Sequence, residues 1–227
     1  MASTMPVNIE LYFIFLPKFK ITPNLMKFNK WILILVLGAI TLVIISLPKN
    51  NAVSISKTQE DSLAVLKHRK EKDISMKEQE DSPIKNKETF KGLTYFPFSS
   101  AWQIDFELEK NNKVDKIALP MSDGTQEDIL YIGDIKAQIN GQVVRLKLYQ
   151  HDNGDFFLPF KDKTAPTETY GGGRYLDIPL INLNGKILKA DFNLAYFPFC
   201  AYNPEYACPV PPASNQLNFR IPAGEKN

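Results

Sequence analysis

Residues 135–149 read IKAQINGQVVRLKLY, and this stretch decides the fold. Val144, Leu146 and Leu148 alternate with Arg145 and Lys147, the period-two pattern of a strand buried on one face. Ile135 to Ile139 forms the strand before it. Between them, Asn140-Gly141 supplies two residues that tolerate positive φ, which a two-residue hairpin turn requires. The stretch is therefore a β-hairpin.

The same punctuation recurs at Asp123-Gly124, Asn153-Gly154 and Asn184-Gly185. Around these turns, Trp102–Leu108, Val114–Leu119, Ile129–Ile132, Phe156–Phe160, Arg174–Ile178, Ile187–Asn193 and Leu217–Ile221 read as further strands. No helix signal interrupts them. About eight short strands predict an all-β domain over 90–227, an antiparallel sandwich or barrel. That segment holds 20 of the 26 aromatic residues and 10 of the 11 glycines.

Two other regimes precede it. Trp31 to Leu47 reads WILILVLGAITLVIISL, seventeen residues without a charge. That run is long enough for a short transmembrane helix. Lys18, Lys20, Lys27 and Lys30 lie before it, with Glu10 the lone acid in the first thirty residues. The bias predicts a cytoplasmic N-terminus (1–30), a retained signal anchor (31–47) and an extracytoplasmic C-terminal domain. Met26-Lys27-Phe28-Asn29-Lys30 resembles a normal start of such a segment, so translation from Met26 is an alternative beginning. Residues 48–89 form a charged spacer, with eight basic and eight acidic side chains between Lys57 and Glu88. Ser62 to Lys77 can form a solvated helix within it.

Composition narrows the chemistry. A formal net charge of +2 excludes a strongly basic nucleic-acid binder. The two cysteines are too few for a disulfide scaffold or a four-cysteine zinc site. Outside the cytoplasm, Cys200 and Cys208 are expected to form a disulfide that pins a loop. A nucleophilic cysteine or a metal pair are the competing readings, and both lack partners, because His151 is the single histidine of the domain. No metal site and no cofactor motif is read. Gly171-Gly172-Gly173 before Arg174 matches neither a dinucleotide fingerprint nor a phosphate loop, and reads as a flexible lip or a turn.

The candidate ligand-binding residues cluster late in the chain. Arg174, beside Asp162, Glu168 and Asp177, offers a planar fork for a carboxylate or phosphate, or else an internal salt bridge to Asp177 or Asp191. Asp191 and Asn193 share one face of a strand. The proline-rich segment 198–212 is a long ordered loop carrying aromatic side chains, an arrangement that is functional or cross-linked. Tyr170, Tyr196 and Tyr202 would line a site there, with Asp162 and Asp191 as polar anchors.

Several strings resemble one family: Phe157-Leu158-Pro159-Phe160-Lys161-Asp162-Lys163-Thr164, Glu168-Thr169-Tyr170-Gly171-Gly172-Gly173-Arg174-Tyr175-Leu176-Asp177, Asp191-Phe192-Asn193-Leu194-Ala195-Tyr196, Cys200-Ala201-Tyr202-Asn203-Pro204 and Cys208-Pro209. They are similar to a bacterial family known as domain of unknown function 1684. The likeness spans roughly residues 60–227 and is strongest over 156–225. It implies export behind a signal or anchor and implies no activity. Two positions depart from the family pattern: Tyr196-Phe197-Pro198-Phe199 stands where relatives read Tyr-Asn-Pro-Tyr or similar, and Ser214 where an acid is usual.

The expected function is a membrane-anchored module binding a small-molecule or envelope ligand. An enzyme hydrolysing an envelope component through Asp162, Asp191 and Arg174 is the alternative, and a purely structural protein the third. Carboxylates converging on one pocket would favour the enzyme; carboxylates held in separate hydrogen-bond networks would remove it.

Overall fold

The computed structural model describes residues 56–227 and Ile34. The expected N-terminal segment with Met26, and the expected span 31–47 apart from Ile34, lie outside the described residues. Among the described residues no helix is long and apolar enough to cross a membrane.

Among the described residues, nine strands follow one long helix. They are β1 (Thr94–Tyr95), β2 (Gln103–Pro120), β3 (Gln126–Ile139), β4 (Gln142–Gln150), β5 (Phe156–Phe160), β6 (Arg174–Ile178), β7 (Leu183–Asn184), β8 (Ile187–Asp191) and β9 (Glu225–Lys226). Seven of them make an antiparallel sheet in the order β6-β5-β4-β3-β2-β8-β7, while β1 and β9 pair as a separate ribbon. The large sheet is open, so the expected barrel is corrected: its terminal strands β6 and β7 share no hydrogen bonds. The sandwich reading also lacks a second layer of comparable size.

All four Asn-Gly and Asp-Gly pairs sit in strand-to-strand turns, with Gly124, Gly141, Gly154 and Gly185 at positive φ. Asn140 adopts φ 52° beside Gly141 at 76°, the primed turn expected of that dipeptide. Two pairs of expected strands merge. Trp102–Leu108 and Val114–Leu119 become one β2, and Ile129–Ile132 joins Ile135–Ile139 as β3. Register shifts at Lys110/Asp115 and Tyr131/Gly133 mark the joins. At the second, Gly133 has φ 147°, and a Cβ there would lie 2.3 Å from the Glu109 carbonyl oxygen. Only glycine admits so close a backbone approach. Leu217–Ile221 is corrected from strand to irregular chain.

The period of two explains how β4, β5 and β6 bury both faces. Leu146, Leu148, Phe156, Leu158, Phe160, Leu176 and Ile178 enter the main core with Phe106 of β2 and Leu188 of β8. Their neighbours Tyr149, Phe157 and Tyr175 point the other way, into a second cluster with Leu119 and Cys208. The Pro-rich segment supplies the cover for that second face through Tyr196, Cys200, Tyr206 and Cys208. Each such side chain contributes about 1.5–3 kcal/mol on full burial.

The spacer reading also changes. The helix, α1, runs Lys57–Glu78 from a capping box made by Ser56 and Gln59, and packs on the β structure within one compact unit, Ile55–Asn227. Val65, Arg69, Lys72 and Met76 repeat at helical spacing, so the docking face alternates apolar and cationic groups. Arg69 donates to the carbonyls of Phe96 (3.0 Å) and Asn193 (3.1 Å) and stacks on Tyr95.

One side chain closes a gap in the sheet. β4 and β5 pair only at Tyr149–Phe157 and Gln150–Phe156, then diverge. Asn215, fully buried, fills the fork. Its amide donates to the carbonyls of Lys147 (2.9 Å) and Pro159 (2.8 Å) and its oxygen accepts from the Lys147 N–H (2.8 Å). Asn215→Ala leaves these buried backbone groups unpaired and is expected to lower unfolding stability by about 3 kcal/mol. Urea denaturation of the two proteins checks this; a change within experimental scatter would show that water replaces the amide.

Candidate functional site

Arg174 opens β6 and is 1% exposed. Its terminal nitrogens donate to the carbonyls of Ile221 (2.9 Å), Ala223 and Glu225 (3.2 Å) and to Asp162 Oδ1 (3.0 Å). Asp162 is spoken for as well. Oδ1 accepts from Thr164 Oγ1 (2.7 Å) and Oδ2 from the backbone N–H of Thr164 and of Ile221 (2.6 Å). The pair thus faces inward and holds the irregular residues 221–224 and the start of β9. The expected fork for an external anion is occupied by the protein itself, and its carboxylate partner is Asp162 in place of Asp177 or Asp191.

Asp191 and Asn193 form a second, separate network. Asp191 Oδ1 accepts from the Asn193 backbone N–H (2.9 Å) and side-chain amide (2.7 Å), and Oδ2 from Gln103 (2.9 Å). Asn193 in turn brackets Ser99, accepting from its N–H and donating to its carbonyl. Asp162 and Asp191 are therefore not brought to one pocket. The glycine run is a tight turn: Gly173 donates to the Tyr170 carbonyl, and a Cβ on it would lie 2.6 Å from the Phe160 oxygen.

Cys200 and Cys208 are both free thiols, which corrects the expected disulfide. The Cys208 sulfur instead accepts from the Cys200 backbone N–H at 3.2 Å, and Tyr170 Oη lies 3.9 Å from the Cys200 sulfur. Burial pushes the Cys208 thiol up to about 12, so it is a poor nucleophile. The loop is held by packing: Pro198 and Phe197 are buried, and Phe199 meets Tyr206 edge to face at 5.4 Å.

The remaining tyrosines lead to groups that sequence reasoning passed over. Tyr202 Oη donates to Glu225, which is 2% exposed and also accepts from the Phe197 N–H (3.0 Å) and Lys72 (3.4 Å). Burial pushes the Glu225 carboxyl up and the Lys72 ammonium down, and each partly offsets the other. Lys72 also lies 4.1 Å over the Tyr196 ring. Tyr196 Oη donates to Asp177 Oδ2 (2.7 Å), and the other Asp177 oxygen meets His151 Nε2 at 3.1 Å. His151 packs on Phe157, with ring centroids 4.7 Å apart.

These groups border an aromatic cleft that gathers several of them. A hollow of about 200 Å³ is lined by Leu119, Glu127, Ile129, His151, Phe157, Tyr175, Tyr196 and Pro209. A neighbouring hollow of about 250 Å³ continues past Tyr175 and Tyr196 to Pro198, Phe199, Tyr206 and Cys208. Of the expected ligand-binding residues, Tyr196 alone lines these two hollows. A larger hollow of about 540 Å³ between β2 and the β7–β8 turn is charged and holds none of them. Among the described residues no three His, Cys, Asp or Glu side chains group as metal ligands.

If Arg174 is part of the frame, its loss is felt in folding. Arg174→Met strands the buried Asp162 charge and is expected to cost about 4 kcal/mol. Arg174→Lys recovers little, since an ammonium cannot serve the same spread of carbonyls. Urea midpoints measure both; wild-type stability in either would return Arg174 to the list of ligand residues.

His151 carries the pH dependence. Its bond to Asp177 holds the imidazole above the usual 6.5 against the opposing effect of burial, with Asp155 and Glu127 adding to the rise. A raised folded pKa means that the pair stabilises fully below about pH 6.5 and that this contribution fades as pH rises through the folded value. An NMR titration of His151 is expected to show a midpoint above 6.5, falling in Asp177→Asn; an unmoved midpoint in that variant would assign the shift elsewhere.

Comparison with known proteins adds a family and no activity. No curated protein matches the chain. A solved structure, the solution NMR structure of an uncharacterised protein from gene locus rrnAC0354 of Haloarcula marismortui, is similar with a TM-score of 0.61 and 32% identity. The match covers 75% of this chain and 96% of that one. The model of a family described as a protein of unknown function, DUF1684, matches residues 88–226. The strings around Arg174 and the late aromatic loop thus carry a true relationship, and the chain belongs to the DUF1684 family.

Proposed function

We propose that the protein is a non-enzymatic binding module, held on the outer side of a membrane, whose site is the aromatic cleft between β6 and the segment from Tyr196 to Pro209. The uncharged run 31–47, with lysines before it, supports a single-pass anchor with the N-terminus inside. The observation that carries the binding reading is the wall shared by the two hollows. Tyr175 and Tyr196, edge to face at 5.9 Å, stand between them, with the His151–Asp177 pair at one end.

Apolar walls with a few convergent polar groups are the usual make-up of a small-molecule site. The ligand that fits is a small amphipathic molecule of the cell envelope. Its ring or chain stacks on Tyr175 and Tyr196, and its polar end meets His151. A hydrolase built on Asp162, Asp191 and Arg174 lacks support, because every carboxylate oxygen of that set already accepts a bond from the fold.

Anilinonaphthalene sulfonate, an aromatic ring carrying an anion, serves as the probe. A saturable fluorescence titration is expected for the full chain. Ile129→Trp, which fills the first hollow from its rim, should weaken binding about tenfold or more, equivalent to ~1.4 kcal/mol. Equal affinity in a variant of unchanged melting temperature would place the probe elsewhere and remove the cleft as the site.

A further inference from the structure

Two thiols are left over once the cleft and the Arg174 frame are assigned, and the fold puts them side by side. The backbone of Cys208 is clamped to the turn between β2 and β3. Its N–H donates to Ser122 Oγ (3.0 Å) and its carbonyl accepts from the Ser122 N–H (2.8 Å). Cys200 sits in a separate turn, closed by the Ala201 N–H on the Pro198 carbonyl (2.9 Å). The frame therefore brings the two sulfurs together without a bond between them.

Each sulfur also has a hydrogen-bond donor aimed at it. Cys208 Sγ accepts from the Cys200 N–H at 3.2 Å, and Cys200 Sγ faces the Tyr170 hydroxyl at 3.9 Å. The Cys200 thiol is in turn a hydrogen-bonding neighbour of the Cys208 thiol. The pair can be reached from outside. Cys200 is half-buried, and Cys208 lines the hollow of about 250 Å³ beside Tyr175, Pro198 and Tyr206.

A thiol pair so placed can hold a cation, and its donor set selects which one. Zn²⁺ at a structural site takes four ligands, while Ca²⁺ and Mg²⁺ need a shell of oxygens. Among the described residues no third His, Cys, Asp or Glu joins the two sulfurs, so neither class is satisfied. A soft monovalent ion prefers thiolate sulfur and is content with two such ligands.

We propose that Cys200 and Cys208 bind one Cu(I) ion as a two-thiolate site, with Tyr170 as its positioning residue. On binding, both S–H bonds break, two S–Cu bonds form, the two protons pass to water, and copper stays in its +1 state. The product carries one negative charge. The Tyr170 hydroxyl and the Cys200 N–H are the donors that meet it on the sulfurs, as outer partners do at other metal sites. The assignment goes beyond the binding reading above and does not rest on it, since neither cysteine lines the first hollow, where Ile129 tests that reading.

The reduced full chain, handled without oxygen, is titrated against the coloured Cu(I) complex of bathocuproine disulfonate. It should withdraw one Cu(I) per chain, and copper X-ray absorption should show two sulfur neighbours with no nitrogen or oxygen. Cys200→Ser, at the more exposed position, should keep the fold and leave the copper with the indicator. Cys208→Ala should do the same. Tyr170→Phe should keep the stoichiometry and the absorption signature but weaken affinity about tenfold. A purely structural role for Tyr170 would instead lower the melting temperature and leave the affinity alone. Copper left on the indicator by the wild type, unchanged uptake in Cys200→Ser, or equal competition by Zn(II) overturns the proposal. So does a mutual sulfur–sulfur bond in chain alkylated directly from cells, which would make the pair a staple. Normal copper uptake beside a failed fluorescence titration removes the cleft alone, and the reverse removes the thiol site alone.

Discussion

The buried guanidinium of Arg174 is the constraint on which the late half of the molecule depends. A charge out of water must be surrounded by acceptors, and Arg174 finds them in Asp162 and in the carbonyls of Ile221, Ala223 and Glu225. Two of those carbonyls, of Ile221 and Ala223, belong to a segment without a ladder of its own, and the third opens the short β9. The guanidinium stands in for a missing strand and ties residues 221–225 to the first residue of β6. Asp162 completes the arrangement by also holding the Ile221 N–H. Through β9 and β1 the same segment seats α1, since Glu225 meets Lys72 and Tyr95 pairs with Glu225 in the ribbon.

A second consequence concerns the outer face of β4, β5 and β6. Strands that are apolar on both faces need two covers. The main core supplies one; the Pro-rich segment supplies the other without regular structure, through edge-to-face aromatic contacts and single bonds such as Tyr175 Oη to the Pro209 carbonyl. An irregular cover fits a sheet less closely than another sheet would. The hollows along Tyr175 and Tyr196 are where that fit is incomplete, and the groups at their rim, His151, Glu127 and Asp177, are the ones left with solvent access.

Much of this was legible in the residues. The alternation in β4 and the four Asn-Gly and Asp-Gly turns located the hairpins because their determinants are local in the chain. The folded domain was placed from Phe90, whereas the compact unit reaches back through α1. The reason is visible on that helix: its docking face uses Arg69 and Lys72, which read as solvent-facing by composition and are held by carbonyls, aromatic faces and Glu225. Leu217–Ile221 has the apolar content of a strand, yet its N–H and carbonyl groups are claimed by Lys161, Asp162, Lys163 and Arg174. Arg174 and Asp162 stood out by residue type, but whether they face a ligand or the frame is decided by partners distant in sequence. His151 and Asp177 lie 26 positions apart, so nothing local could join them. The two cysteines fit a loop staple by spacing, and the loop turned out to be secured by its aromatic side chains.

The dependence of Arg174 on residues 221–225 also sets an order of events. Every strand of the seven-stranded sheet is synthesised before the segment whose carbonyls neutralise its most deeply buried charge. Until residues 221–226 emerge, β6 carries a guanidinium facing an unfinished interior, and α1 lacks the ribbon and the Glu225 carboxylate that seat it. The helix α1, made before every strand of the sheet, is therefore among the last of the described elements to find its place, and the nascent domain waits, partly open, for residues 221–226.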